Sequence, residues 1–322
     1  MATAEQIKAL IRSHLAENSE QFYSIALQVA AHEAQQGHGE LAHEIRAIID
    51  KAQNEKKQKL TLFPNELRGM VLVEEPETPK SALIVPHDLQ KRLERIILEY
   101  HQQSKLKHFG LSPRRKIMLI GPPGTGKTMT SRVLAHELRL PFYAVQVDKL
   151  VTRFMGETSA KLRQIFDLIQ QETGVYLFDE FDAIGSERSL QNDVGEIRRV
   201  LNSFLQFIEQ DKSDSLIISA TNSPKLLDKA LIRRFDDVLY FVLPSIGDRK
   251  RLIENILSTF KPQNITWKTI LIESKGLSHS EIDQACRDAI KQSILNDETS
   301  VSTLSLQQMI KERQNSKKGL II

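Results

Sequence analysis

Apolar residues follow two rhythms along the chain. Up to residue 54 the spacing is helical. Ile7, Leu10, Ile11 and Leu15 share one side of a helix over 6–15. Phe22, Ile25, Ala26, Val29 and Ala30 do so over a second, opened by an Asn18 cap with Gln21 three residues on and running to about Gln36. After the Gly37-His38-Gly39 break, Leu41, Ile45, Ile48 and Ile49 mark a third, to about Gln53. Residues 1–54 thus read as a three-helix bundle too small to bury much core alone. Residues 55–80 read as a linker, basic at its start and acidic with prolines over 74–80. From 81 the pattern changes to short continuous apolar runs at 116–120, 142–147, 175–178, 216–220 and 238–242, with helical stretches at 88–101, 128–138 and 158–170 between or before them. Such runs predict a parallel sheet covered on both faces over 81–244. Helical spacing returns over 245–322, where Ser245-x-x-Asp248, Ser278-x-x-Glu281 and Ser305-x-x-Gln308 are candidate capping boxes.

The stretch with the most specific chemistry follows the first run. Gly121-Pro122-Pro123-Gly124-Thr125-Gly126-Lys127-Thr128, with Met129 next, is the G-x-x-x-x-G-K-T phosphate-binding loop in its required place between strand and helix. Gly121, Gly124 and Gly126 offer backbone angles closed to other residues, so that several N–H groups can turn inward on an anion. The helix N-terminus adds partial positive charge. Lys127 is placed to reach the β- and γ-phosphates of a nucleoside triphosphate, and the Thr128 hydroxyl to ligate Mg²⁺.

Three further groups sit at strand ends or just before a strand. Val175 to Phe178 ends in Asp179-Glu180. Acids do not stay unpaired in a core, and at a C-terminal strand edge they face the crevice where ligands bind. Asp179 is placed to hold Mg²⁺ and Glu180 to polarise an attacking water; the alternative is a strand end with ordinary surface acids. Asn222 ends the run from 216 and offers a donor and an acceptor to a water or phosphate, or is a turn residue. Arg233-Arg234-Phe235-Asp236 precedes the last run. The arginines either reach a second subunit's phosphates or pair with Asp236 or Asp237. Phe154, in Arg153-Phe154-Met155-Gly156-Glu157, is either a mobile apolar tip or an anchor into the core. His32, His38 and His43 stand on different turns without carboxylate support, which favours solvated or capping histidines over a metal site.

Composition narrows the picture. With 322 residues there is room for about two domains. A net charge of +3 is too slight to argue for nucleic acid or an anionic membrane. Cys286, the single cysteine, sits on an apolar helix face and reads as an inert core thiol. No secretory signal opens the chain and no apolar run reaches about 18 residues, so the expectation is a cytoplasmic protein with no membrane span.

In combination, GPPGTGKT, Asp179-Glu180, Ala220-Thr221-Asn222 and Arg233-Arg234-Phe235-Asp236 resemble the ATPase module of the AAA family, over about residues 81–290. The resemblance implies a P-loop NTPase sheet between helices with a C-terminal helical lid, ATP and Mg²⁺ as cofactors, and a homo-oligomeric ring, a hexamer in the family. It implies that Asn222 is the sensor-1 residue, that Phe154 lies in a pore loop gripping a threaded protein client, and that 186–193 form a second pore loop. It also places Arg233 and Arg234 beside the neighbouring subunit's γ-phosphate. Adjacent arginines resemble the branch of microtubule-severing and membrane-complex disassembly ATPases, which also carries an N-terminal three-helix adaptor. His279-Ser280 departs from the Gly-Ala that many relatives place under the adenine. Residues 21–28, 180–185 and 202–207 are similar to small bacterial AAA ATPases encoded beside a subtilisin-like serine protease in phage-defence pairs, which implies such a protease as partner; this chain has no triad of its own. Three functions follow: an ATP-driven remodeller or unfoldase, an ATP-bound switch that controls a partner without threading, and, against the weak charge, a nucleic-acid motor.

Overall fold

Residues 19–36, 41–47, 69–150, 155–180, 194–222, 232–260 and 265–319, with Lys8, His38, Ile49 and Leu67, are described in the computed structural model of the chain. The helix expected over 6–15, Phe154 and the 186–193 loop lie outside them. The chain divides into two units, Met1–Glu66 and Leu67–Ile322. In the first, helix α1 (Ser19–Gln35) buries Ala26, Val29 and Ala30, the face its spacing predicts. Residues 41–47 are helical too, and Ala42 is buried.

The second unit starts earlier than its sequence suggests. Strand β1 (Val71–Glu74) runs antiparallel to a later strand, with Val71 opposite Val145 and Glu74 opposite Phe142. The linker expected over 55–80 therefore gives way to folded chain from Leu67, which is fully buried. The strand was illegible because it is a short edge strand with one exposed face, and its acid looked solvated. Glu74 instead binds the Arg132 guanidinium through both oxygens, at 2.8 and 3.2 Å, and that partner holds its carboxyl below the usual range. A short 3-10 turn at Lys80–Ala82 leads to α2 (His87–His101) and α3 (Gln103–His108).

Then come β2 (Lys116–Ile120), α4 (Lys127–Leu138), β3 (Phe142–Val145), α5 (Val147–Leu150), α6 (Met155–Gln171), β4 (Val175–Phe178), α7 (Val194–Gln210), β5 (Leu216–Thr221) and β6 (Asp237–Tyr240). The six strands lie in the order β1-β3-β4-β5-β2-β6. All pairings except β1 with β3 are parallel, so the expected parallel sheet carries one antiparallel edge.

The apolar runs are unbroken because both faces are covered. On one face Ile117 and Leu119 pack with Leu89, Leu93 and Ile96 of α2 and Leu134 of α4. On the other, Phe178 meets Phe166 of α6 and Phe204 of α7, with ring centres 5.9 and 5.1 Å apart. Tyr143 and Tyr176 stack at 4.4 Å; burial pushes the Tyr143 phenol up to about 12.

The lid comprises α8 (Ile246–Ile256), α9 (Trp267–Glu273), α10 (His279–Leu295) and α11 (Thr303–Gly319) around a separate core of Leu252, Ile253, Ile270, Ile282, Cys286 and Leu306. Ser245 and Ser278 each form the full reciprocal box with Asp248 and Glu281. The third start differs: Ser302, not Ser305, accepts from a backbone N–H, that of Ser305 at 3.1 Å, so α11 begins three residues earlier than expected. Burial pushes the Cys286 thiol up to about 12, as befits a core residue.

Candidate active site

Three adjacent parallel strands, β4, β5 and β2, deliver their C-terminal ends to one place. Ile120 is level with Thr221, and Phe178 with Ser219. Asp179-Glu180, Asn222 and the phosphate loop therefore emerge side by side, where ligands bind in open α/β sheets. They face a cavity of about 940 Å³, closed on its far side by Leu252, Asn255, His279, Ser280 and Asp283 of the lid.

The loop owes its shape to three glycines, for two reasons. Gly124 and Gly126 have φ of 71° and 99°, open to glycine at little cost. Gly121 has no such angle: a Cβ there would lie 2.4 Å from the Phe241 carbonyl oxygen of the chain leaving β6. The expectation of an unusual backbone angle at Gly121 is corrected to a need for space. A Cβ on Gly124 would lie 2.7 Å from the Ser278 hydroxyl, and the Ser280 N–H donates to the Gly124 carbonyl at 3.0 Å, so the lid rests directly on the loop. Thr125 donates its hydroxyl to the Pro122 carbonyl at 2.7 Å, which fixes the turn. Pro123, Gly124, Gly126, Lys127, Thr128 and Met129 line the cavity, whereas Gly121, Pro122 and Thr125 shape the loop behind it.

Polar groups of this site bind one another. Lys127 is 6% exposed, and its ammonium donates to the carbonyls of Gly121 and Pro122 at 2.7 and 2.9 Å and to Asn222 Oδ1 at 2.7 Å. Thr128 donates to Asp179 Oδ2 at 2.6 Å. The other Asp179 oxygen accepts from the Glu180 N–H at 2.9 Å. Glu180 is exposed to the cavity and has φ of 50°, a left-handed angle uncommon for a residue with a Cβ. Such outliers gather at functional sites.

This arrangement fits a nucleoside triphosphate with a divalent cation. Backbone N–H groups at the α4 N-terminus and one buried cation suit phosphate oxygens. A hydroxyl and a carboxylate in contact supply the hard oxygen ligands Mg²⁺ takes. Thr128 and Asp179 would hold the metal, Lys127 the terminal phosphates, and Glu180 the water.

The lid adds residues to the site beyond His279 and Ser280. His279, Asp283, Arg287 and Lys291 recur every four residues on α10 and all line the cavity. That stripe of polar residues at a spacing of four was readable. Neither ring nitrogen of His279 reaches a partner in ordinary hydrogen-bond geometry. Burial holds its pKa below the usual value, against the opposing pull of Asp248 and the Ile84 carbonyl. Residues 83–86 do not line the cavity; Ala82 just before them does.

Arg233 and Arg234 are not at this site. Asp236 accepts at one oxygen from the N–H groups of Arg115 and Lys116, at 2.8 and 2.9 Å. The arginine turn is thereby pinned to the start of β2, while the phosphate loop follows its end. At about 3.3 Å per residue, the five residues of β2 separate Lys116 from Ile120 by roughly 13 Å. The ion pairs with Asp236 or Asp237, one of the two readings of these arginines, do not form among the described residues. Asp237 binds Arg92, and Arg234 binds Glu209 at 3.1 Å. Among the described residues no helix is long and apolar enough to cross a membrane.

Comparison with known proteins agrees with this geometry. Residues 117–243 match the family described as ATPase family associated with various cellular activities (AAA). The chain is 30% identical to an uncharacterized AAA family ATPase of Sinorhizobium fredii, over 99% of this chain and 98% of the relative. It is also 30% identical to a Methanocaldococcus jannaschii protein named for homology to 26S proteasome regulatory subunits, over 78% of this chain and 69% of that one. The crystal structure of the FIGL-1 AAA domain superposes with a TM-score of 0.62 at 22% identity, covering 81% of this chain and 96% of that domain, and shares the fold. The chain belongs to the AAA family of ATPases, and hydrolysing ATP is its chemistry.

Proposed function

We propose that the chain is a Mg²⁺-dependent ATPase that works as a ring of copies, a hexamer, and remodels protein clients. The observation that carries this reading is the separation along β2. Everything needed to hold and attack a triphosphate lies at one end, and the two arginines suited to its transferring phosphoryl lie at the other. A subunit does not bring Arg233 or Arg234 to its own phosphate loop, so in this reading a neighbour supplies them. Bound Mg²⁺ would neutralise charge on the phosphates. Lys127 would leave Asn222 for the γ-phosphate, Asn222 would then orient the water, and Glu180 would take its proton. The relative named for proteasome regulatory subunits supports a protein client. Phe154 is the residue proposed to grip it and the N-terminal bundle the part that selects it.

The finer partner we propose is a subtilisin-like protease in a phage-defence pair, supported by the residue runs at 21–28, 180–185 and 202–207. ATP turnover per subunit is expected to rise with protein concentration, because sites form only between copies; turnover flat across dilution overturns the ring. A pull-down with ATP and Glu180→Gln is expected to retain a client or protease, and a Phe154→Ala chain with full cellular activity overturns threading in favour of a switch.

A further inference from the structure

The two adjacent arginines are held differently. Arg234 binds Glu209, the penultimate residue of α7. Arg233, one residue earlier, is exposed and makes no hydrogen bond or ion pair among the described residues. Glu209 is poorly placed to serve its own helix, since a carboxylate at a helix C-terminus opposes the helix dipole. Its neighbours Leu205 and Ile208 are buried, which fixes the end of α7 against the sheet. Around it runs a charged collar at the foot of β2. Arg115 binds the buried Asp211 carboxylate at 2.8 Å, and Asp236 accepts from the N–H groups of Arg115 and Lys116 where the chain enters the strand. Phe235 is 8% exposed and plugs the turn into the protein between its charged neighbours. The turn is therefore fixed on three sides, by Arg234 to α7, by Phe235 to the interior and by Asp236 to β2, and Arg233 projects from it.

We infer that Glu209 and Arg234 form a strut that aims Arg233, so that Arg233 alone reaches the neighbouring subunit's phosphates and Arg234 is a positioning residue. The proposal rests on the cross-subunit reading above and divides its labour. The ion pair is partly exposed, with side chains 32% and 53% accessible for Arg234 and Glu209, so it orients the turn and does not hold the fold together.

Five variants and one mixture test it, with assembly checked by light scattering. Arg233→Ala is expected to lower kcat by about 10³-fold, the scale of an arginine finger. Arg234→Ala and Glu209→Ala are each expected to lower kcat by about fivefold, the scale of an exposed ion pair. Their double variant should lose no more than either alone, because one strut is broken once. KM for ATP should stay unchanged in the Arg234 and Glu209 variants, since neither residue touches ATP in this proposal. Glu209→Gln, which keeps a hydrogen-bond acceptor, should recover part of the Glu209→Ala loss. If Arg234→Ala costs as much as Arg233→Ala while Glu209→Ala costs nothing, both arginines reach across and the proposal is overturned. Mixing Arg233→Ala with Lys127→Ala subunits separates the two layers. Restored turnover is expected, because Lys127→Ala copies still present Arg233 to intact loops. Failure to restore turnover removes the cross-subunit reading, and the strut with it. Restoration combined with additive losses in the double variant removes the strut alone.

Discussion

The two ends of β2 treat charge in opposite ways. At the C-terminal end the phosphate- and metal-facing groups bind one another: Lys127 on two carbonyls and Asn222, Thr128 on Asp179, Asp179 on the Glu180 N–H. At the N-terminal end the partners serve to fix the backbone, and one cation is left projecting. A pocket whose own groups satisfy one another avoids a buried unpaired charge, which would be costly. It also means that an incoming phosphate exchanges bonds and does not simply fill a space. A projecting arginine, by contrast, costs nothing in water; on the cross-subunit proposal it would gain value when a neighbour's phosphates desolvate it. On that proposal one end would change partners and the other would acquire one.

The sharpest way to break this contrast is to remove the acid on the exchanging end. Glu180→Gln keeps the shape of the left-handed residue and loses the carboxylate proposed as the base. A fall in kcat of about 10²–10⁴-fold is expected, with ATP affinity retained by equilibrium titration. Loss of binding instead would make Glu180 a structural strand end, and the contrast would collapse.

Removing the anchor on the other end should do less. Asp236→Ala strands the Arg115 and Lys116 N–H groups at the start of β2. A loss of ~2 kcal/mol is expected, or a fall of about 4–8 °C in Tm. Calorimetry reads the stability and steady-state kinetics the kcat. A drop in kcat with KM for ATP unchanged is the signature of a turn that no longer aims; a rise in KM would mean that the foot of β2 shapes the nucleotide pocket itself.

These two ends were not equally legible. Gly121 to Thr128, Asp179, Glu180 and Asn222 could be read because each needs a particular residue type at a particular strand end, and the apolar runs locate the ends. The arginine end was named, but its bonds stayed open between a second subunit's phosphates and Asp236 or Asp237. Asp236 and Asp237 looked like natural partners of their sequence neighbours, yet a strand about to enter a sheet turns its acids toward Arg115 and Arg92. Glu209 is distant in sequence from Arg234, and no local pattern joins them. Strand β1 was missed because four residues with one exposed face carry too short an alternation to stand out. Ser302 was missed as the start of α11 because the spacing of Ser305 and Gln308 mimicked the box that the true cap does not use.

The smallest effect tests how firmly the lid presses on the exchanging end. Ser278 caps α10 and its hydroxyl sits against Gly124. Ser278→Ala should cost about 1 kcal/mol at neutral pH. The cost should depend on pH, because the partner is Glu281. Burial pushes the Glu281 carboxyl up, but the Ser278 N–H and hydroxyl and Lys317 outweigh it and hold the pKa below the ordinary 4.5. A depressed carboxyl contributes its stability fully above its unfolded value and loses it as pH falls through the folded one. The gap between wild type and Ser278→Ala, read from urea midpoints, should therefore be widest above about pH 5 and narrow below pH 4. A gap constant from pH 7 to pH 3 would mean that the hydroxyl acts only on the Glu281 N–H. The carboxylate would then serve Lys317 and the Ser278 N–H, and the box would be two independent bonds with no coupling between them.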